Sequence, residues 1–102
     1  GLFSYIFEDH QMLEKSLDYC KYLAKKSAPV SVAMARRLFW SSLGDNGPDR
    51  SHNLESFFIS SRGKSGDARE GVTSFLEKRL ADFPNSVSED LPKDFLDKIE
   101  KK

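Results

Sequence analysis

Nearly every segment after residue 8 has either the periodicity of an amphipathic helix or the composition of a loop, and this pattern constrains the fold most. Apolar side chains recur at intervals of three and four residues, and proline and glycine separate the periodic segments. Pro29 suits the first turn of a helix, and Gly44 suits a helix end. We therefore predict an all-α chain of about four helices, at residues 9–26, 29–43, 48–62 and 67–83.

One short strand is the exception. Residues 2–7 are rich in aromatic and branched side chains, and polar residues typical of a helix start follow them. No later segment offers a second strand to pair with this backbone. We therefore expect residues 1–8 to be the last strand of a core that this sequence lacks; the sequence also begins with glycine rather than methionine. Residues 9–84 are then a helical subdomain, and residues 85–102 a charged tail with a short helix around Phe95.

The second predicted helix is apolar on two nearly opposite sides. One side carries Val30, Ala33, Met34 and Leu38. The other side carries Val32, Ala35, Phe39 and Leu43. Such a helix lies between two packed layers or at an interface between chains. Trp40 lies between the two faces, where a core or subunit contact is a more ordinary role than stacking on a ligand.

The stretch from Ser65 to Arg79 carries most of the functional signal. Asp67 suits the N-cap of a helix, and Glu70 can reach back to complete a capping box. One apolar stripe runs along this helix, formed by Val72, Phe75, Leu76, Leu80 and Phe83. The stripe predicts that the helix lies on a core.

Gly71, Phe75 and Lys78 lie along one edge of that stripe. A glycine inside a helix costs about 1 kcal/mol relative to alanine, so another backbone or a ligand could approach closely there. An aromatic ring, a vacant position and an ammonium suit a flat anionic ligand. The spacing equally fits a helix that packs closely through Gly71 while Lys78 is solvated, and this second interpretation is the more ordinary one.

Composition narrows the classes of function. Basic and acidic residues are equal at 16 each and scattered, which disfavours a nucleic-acid or anionic membrane partner. The sequence has no apolar run long enough for a membrane span, so we expect a cytoplasmic protein. His10 and His52 have no partners at metal-ligand spacing, so we predict no metal and no cofactor. Cys20 falls on the apolar side of the first helix, where we expect a buried, inert thiol. We find no catalytic constellation.

The segment from Gly66 to Arg79, followed by Phe83 and Pro84, resembles the C-terminal signature of the crotonase, or enoyl-CoA hydratase/isomerase, superfamily. The resemblance covers roughly residues 1–90 in order, and it is greatest to bacterial enoyl-CoA hydratases. It implies that this chain is the C-terminal helical subdomain of an α/β enzyme that processes acyl-CoA thioesters. Family members place their oxyanion-hole donors and catalytic carboxylates in the core, so no catalytic residue maps to this chain, and the segment alone should be inactive.

The resemblance also implies roles for the helical subdomain. In the family these helices cover the active site and build a trimer or a dimer of trimers. The matching phenylalanine and lysine contact the adenine end of coenzyme A, which maps to Phe75 and Lys78, beside Gly71. The alternative function is a free-standing helical module that self-associates through the face containing Val32 and Phe39 and has no catalysis.

Overall fold

The computed structural model describes residues 1–100 and shows an all-α chain. Within this range the α-helices are α1 (Met12–Lys26), α2 (Pro29–Ser42), α3 (Asp49–Gly63), α4 (Gly66–Leu76), α5 (Val87–Asp90) and α6 (Phe95–Glu100). A 3-10 turn, Asp9–Gln11, precedes α1. The all-α class is confirmed. No helix in the described range has both the length and the apolar character needed to cross a bilayer.

The short strand predicted at residues 2–7 is not formed. The described residues contain no strand, and a single extended segment cannot form a ladder without a partner. Tyr5 instead packs edge-on against Tyr19 of α1, with their ring centroids 5.0 Å apart. Its ring also stacks on that of Phe7 at 5.9 Å. Side-chain contact with α1 therefore replaces the expected backbone pairing.

A small core joins α2, α3 and α6. Its buried side chains are Val30, Met34, Leu54, Phe58, Phe95 and Ile99. The rings of Phe58 and Phe95 lie 5.1 Å apart, and Leu91 packs against the edge of this cluster. The short tail helix predicted around Phe95 is therefore present and docked. Because a helix of six residues is marginal alone, this packing explains why α6 forms.

The first helix lies outside the core. None of its residues is buried, and its main packing contacts are with the 3-10 turn before it. Cys20 is exposed, so the predicted burial of this thiol is wrong. The radius of gyration is 16.5 Å, whereas a compact domain of this length has about 13 Å. The arrangement is open, and the apolar side of α1 is uncovered in the described part of the chain.

The second helix packs on one side alone within residues 1–100. Val30 and Met34 are buried against α3 and α6, as predicted for that face. On the opposite face, Val32, Phe39 and Leu43 are 51%, 63% and 55% exposed. We define these three residues as the open face of α2. The sequence predicted that this face would be covered or lie at an interface, and in this chain it is accessible to a partner.

Candidate functional site

The start of α4 is capped by Ser65. The Ser65 Oγ accepts a hydrogen bond from the Ala68 N–H at 3.2 Å and donates one to the Arg62 carbonyl at 2.6 Å. The prediction that Asp67 is the N-cap is therefore wrong by two positions. Serine and aspartate are equally good caps, so the sequence alone could not distinguish them.

Asp67 instead belongs to a buried polar network that the sequence did not reveal. Its carboxylate lies 2.9 Å from the Arg62 guanidinium and accepts the Asn85 N–H at 2.9 Å. The Asn85 Oδ1 accepts from Arg62 at 2.9 Å and from the Asp67 N–H at 3.3 Å. We call Arg62, Asp67 and Asn85 the N-terminal lock. It joins the end of α3, the start of α4 and the segment that follows Pro84.

Gly66, and not Gly71, is the glycine that another part of the chain approaches closely. A Cβ at Gly66 would lie 3.1 Å from Cγ of Pro84, closer than most real contacts. At Gly71 the nearest atom to such a Cβ is Cε1 of Phe83 at 3.9 Å, an ordinary van der Waals distance. The protein itself therefore does not force glycine at position 71, because a methyl group there would only touch the ring of Phe83.

The fourth helix ends earlier than its apolar stripe predicts. Lys78 has φ of +54°, a left-handed backbone that ends the helix after Leu76. The Arg79 N–H donates to the Ser74 carbonyl at 3.0 Å, and the Lys78 N–H donates to the Phe75 carbonyl at 3.3 Å. These two bonds define a Schellman motif, which usually has glycine where this chain has Lys78. Consequently Leu80 and the residues after it are not part of α4.

The apolar stripe of α4 does not face the core. Val72, Phe75 and Leu76 are 62%, 81% and 72% exposed, so the predicted packing of this stripe on a core is wrong within residues 1–100. Phe75 and Lys78 lie in the same exposed turn, and Gly71 lies one helical turn before Phe75. We call Gly71, Phe75 and Lys78 the α4 shelf. The α4 shelf thus has an exposed aromatic ring in the last turn of the helix and an exposed lysine three positions later.

Glu70 holds the chain that follows the shelf. Its carboxylate accepts two hydrogen bonds from the Arg79 guanidinium, at 2.5 and 3.0 Å, and one from the Asp82 N–H at 2.7 Å. The Arg79 hydrogen bonds, followed by the Asp82 N–H, lower the pKa of Glu70 to about 2. The same pairing, together with Glu77, raises the pKa of Arg79. The predicted capping-box role of Glu70 is therefore wrong.

The remaining candidates from the sequence are metal-binding side chains and Trp40. Among residues 1–100, no three His, Cys, Asp or Glu side chains lie together in a way that could hold a metal ion. Trp40 is 57% exposed and packs edge-on against Phe39, with centroids 5.6 Å apart. It therefore extends the open face of α2 and lies outside the core of the described chain.

Three fungal proteins are similar to this chain, all named enoyl-CoA hydratases from Alternaria alternata. ACTT3 is 36% identical over 77 residues, which is 76% of this chain and 25% of the relative. AFT3-1 is 34% identical over 86 residues, or 84% of this chain and 28% of the relative. AKT3-2 is 33% identical over 90 residues, or 87% of this chain and 30% of the relative. No family model matches the chain.

This chain thus spans about a quarter to three-tenths of the length of the curated relatives that it matches. The similarity supports the resemblance to the crotonase-type family. It does not support the expected closeness to bacterial chains, because these relatives are fungal.

Proposed function

We propose that this chain is the C-terminal helical part of an acyl-CoA-processing enzyme of the enoyl-CoA hydratase type, which adds water to a 2-enoyl-CoA, or of a related isomerase. One observation carries the proposal: the similarity to enoyl-CoA hydratases extends over most of this chain but over less than a third of each relative. Residues 1–8 then lead from the catalytic core, residues 9–84 form the helical subdomain, and residues 85–102 are the tail. Catalysis belongs to the remainder of the enzyme.

The decisive test is activity of the protein expressed from its complete coding sequence. We expect the conjugated absorbance of a 2-enoyl-CoA thioester to fall as water adds across the double bond. The 102-residue chain, assayed under the same conditions, should leave this absorbance constant. A complete gene product without a preceding core, or one that neither hydrates nor isomerises any enoyl-CoA thioester, would contradict the proposal.

The first role of the chain in this proposal is self-association through the open face of α2. Its support is the exposure of Val32, Phe39 and Leu43 on a helix whose other side is buried. Burying one phenylalanine contributes about 1.5–3 kcal/mol, or roughly ten- to a hundredfold in an association constant. Covering this face in a trimer would therefore stabilise the assembly.

Sedimentation of the complete protein tests this role. Phe39→Asp should shift the trimer or hexamer towards the monomer, whereas Leu96→Asp, at an exposed position of α6, should leave the assembly unchanged. An assembly that survives Phe39→Asp and Val32→Asp together would exclude the open face of α2 as the contact.

The second role is to cover the coenzyme A site with the α4 shelf. Phe75 offers a free ring on which a flat base can stack, and base stacking on an aromatic side chain contributes about 1–3 kcal/mol. Lys78 brings a positive charge to the same turn, which suits the phosphates of coenzyme A. Gly71 adds no side chain that would keep the base from the helix backbone, and the ring of Phe83 borders this position.

Calorimetric titration of coenzyme A into the complete protein tests the shelf. Phe75→Ala should weaken binding by roughly five- to a hundredfold, as the stacking energy implies, and Lys78→Ala by about tenfold. The matched controls are Leu76→Ala, the exposed neighbour of Phe75, and Lys93→Ala, an exposed lysine outside the shelf. Both controls should bind as the unchanged protein does.

A free-standing interaction module is the second candidate function. The observation in its favour is that the apolar sides of α1 and α4 and the open face of α2 are all exposed in residues 1–100. Such a module should associate without any dependence on coenzyme A. Unchanged coenzyme A affinity in both Phe75→Ala and Lys78→Ala would leave the interaction role as the better explanation.

A further inference from the structure

Lys78 has a backbone conformation that its side chain does not favour. At φ of +54° the Cβ of an L-residue crowds the following carbonyl, and glycine is the usual residue at this position of a Schellman motif. Glycine would remove the strain but also the ammonium. A lysine here needs contacts elsewhere that hold the turn.

Those contacts come from the residues on either side of the turn. Arg79, the next residue, donates two hydrogen bonds to Glu70 and one to Glu77 at 2.6 Å. Its guanidinium also donates to the Leu80 carbonyl at 3.1 Å. Glu70 additionally accepts the Asp82 N–H, so a single carboxylate on α4 fixes the chain on the far side of Lys78.

We propose that Glu70 and Arg79 are positioning residues that hold Lys78 in its left-handed turn and thereby aim its ammonium at the ligand on the α4 shelf. This inference rests on the proposed coenzyme A role of the shelf. Neither Glu70 nor Arg79 contacts the ligand in this scheme; they act through the backbone of residues 77–82.

The ion pair between Glu70 and Arg79, which we call the clamp, is suited to hold the turn in one geometry. The bidentate guanidinium–carboxylate geometry fixes direction as well as distance, which a lysine at position 79 could not reproduce. Hydrogen bonds from Arg79 and the Asp82 N–H lower the pKa of Glu70 to about 2, so its carboxylate stays ionised at acidic pH values where an ordinary glutamate is protonated. The Glu70 side chain is 16% exposed and that of Arg79 is 41% exposed, so the carboxylate is the more sheltered partner.

A double-mutant cycle in the complete protein tests whether Glu70 acts through Lys78. Glu70→Gln keeps the size of the side chain and removes its charge. Coenzyme A should bind Glu70→Gln and Arg79→Lys about tenfold more weakly, at the low end of the effect expected for a hydrogen bond to a charged group. In the Lys78→Ala background, Glu70→Gln should change affinity less than twofold, because the ammonium that it positions is gone. Glu89→Gln, an acidic residue of α5, is the matched control and should have no effect.

A second experiment measures the backbone conformation of Lys78 directly by NMR. The ¹³C shifts of Lys78 Cα and Cβ report its φ angle, and they should move towards right-handed values in Glu70→Gln and not in Glu89→Gln. The clamp is excluded if these shifts stay unchanged, or if Glu70→Gln weakens binding equally with and without Lys78. If Lys78→Ala itself leaves coenzyme A affinity intact, the proposed shelf fails, while moved Lys78 shifts in Glu70→Gln would still support the clamp on the turn.

Discussion

Replacing Asp67 by alanine should destabilise the fold more than any other change in a charged residue at the ends of α4. The carboxylate is buried in the N-terminal lock, with its side chain 3% exposed and that of Arg62 13% exposed. Removing one partner of a buried ion pair costs about 3–5 kcal/mol, because the other charge remains buried without its counterion. The Asn85 N–H also loses its acceptor, although Asn85 Oδ1 still accepts from Arg62. We expect a total loss of about 3–4 kcal/mol in the free energy of unfolding.

This loss is large for a domain of about 100 residues, which typically has about 5–15 kcal/mol in all. Urea unfolding followed by circular dichroism measures it, and with a slope of about 1.5 kcal/mol per molar the midpoint should fall by about 2 M. Asp82→Ala, which removes an exposed carboxylate from the segment after α4, is the control and should change stability by less than about 0.5 kcal/mol.

The double variant Arg62→Met with Asp67→Ala sharpens the test. Because an apolar pair can replace a buried ion pair at little cost, the double variant should be more stable than Asp67→Ala alone. A loss below about 1 kcal/mol in Asp67→Ala, or fully additive losses in the double variant, would refute the reasoning that a buried charge pair joins these three segments.

Three further predictions concern the two glycines of α4, the docking of α6 and the Glu70–Arg79 ion pair. Gly66→Ala should lower the free energy of unfolding by about 1–3 kcal/mol, because the added methyl group would meet Pro84. Gly71→Ala should raise it by about 0.5–1 kcal/mol, because alanine favours a helix more than glycine does. Equal effects at the two glycines would contradict the different spacing around them. Phe95→Ala should lower the free energy of unfolding by about 3–5 kcal/mol, because Phe95 is buried, and Leu96→Ala by less than about 1 kcal/mol, because Leu96 is exposed. Equal losses in denaturant titrations would mean that α6 is not docked. The pKa of Glu70 is lowered from 4.5 to about 2, so the stabilising contribution of this carboxylate is present above pH 4.5 and is lost as the pH falls towards 2. NMR of the turn after α4 should show the turn loosening over this pH range. In Glu70→Gln this pH dependence should be absent.

Local pattern predicted the helices well because each signal lies within a few residues of the element that it marks. Pro29 does open α2, and Gly44, with φ of +89°, follows its end. The end of α4 could not be predicted in this way. A left-handed lysine has no distinct sequence signal, and the apolar side chains beyond it continued the helical spacing by chance.

Long-range features escaped prediction for a different reason. The N-terminal lock joins Arg62 to Asn85, which are 23 positions apart in the chain. In the sequence each of these residues is typical of a surface or a turn, so neither indicates the other as its partner. Burial was also misjudged at Cys20, because amphipathic spacing shows which side of a helix is apolar and not whether anything covers it. Phe75 and Lys78 are close in the chain, so local spacing could predict that both lie at the end of α4, and their role as a binding site stays a prediction.

The contacts that hold α4 in place are relevant to the proposed binding role of the α4 shelf. Apolar packing usually fixes a helix of this length, yet the stripe of α4 is exposed. Polar contacts hold both ends instead: the N-terminal lock at its start, and the Glu70–Arg79 pair where the chain leaves it. The helix also packs at Ser74, which is buried, and at Gly71, which lies against Phe83, while Val72, Phe75 and Leu76 remain exposed. That combination fits a surface that a ligand or another subunit covers.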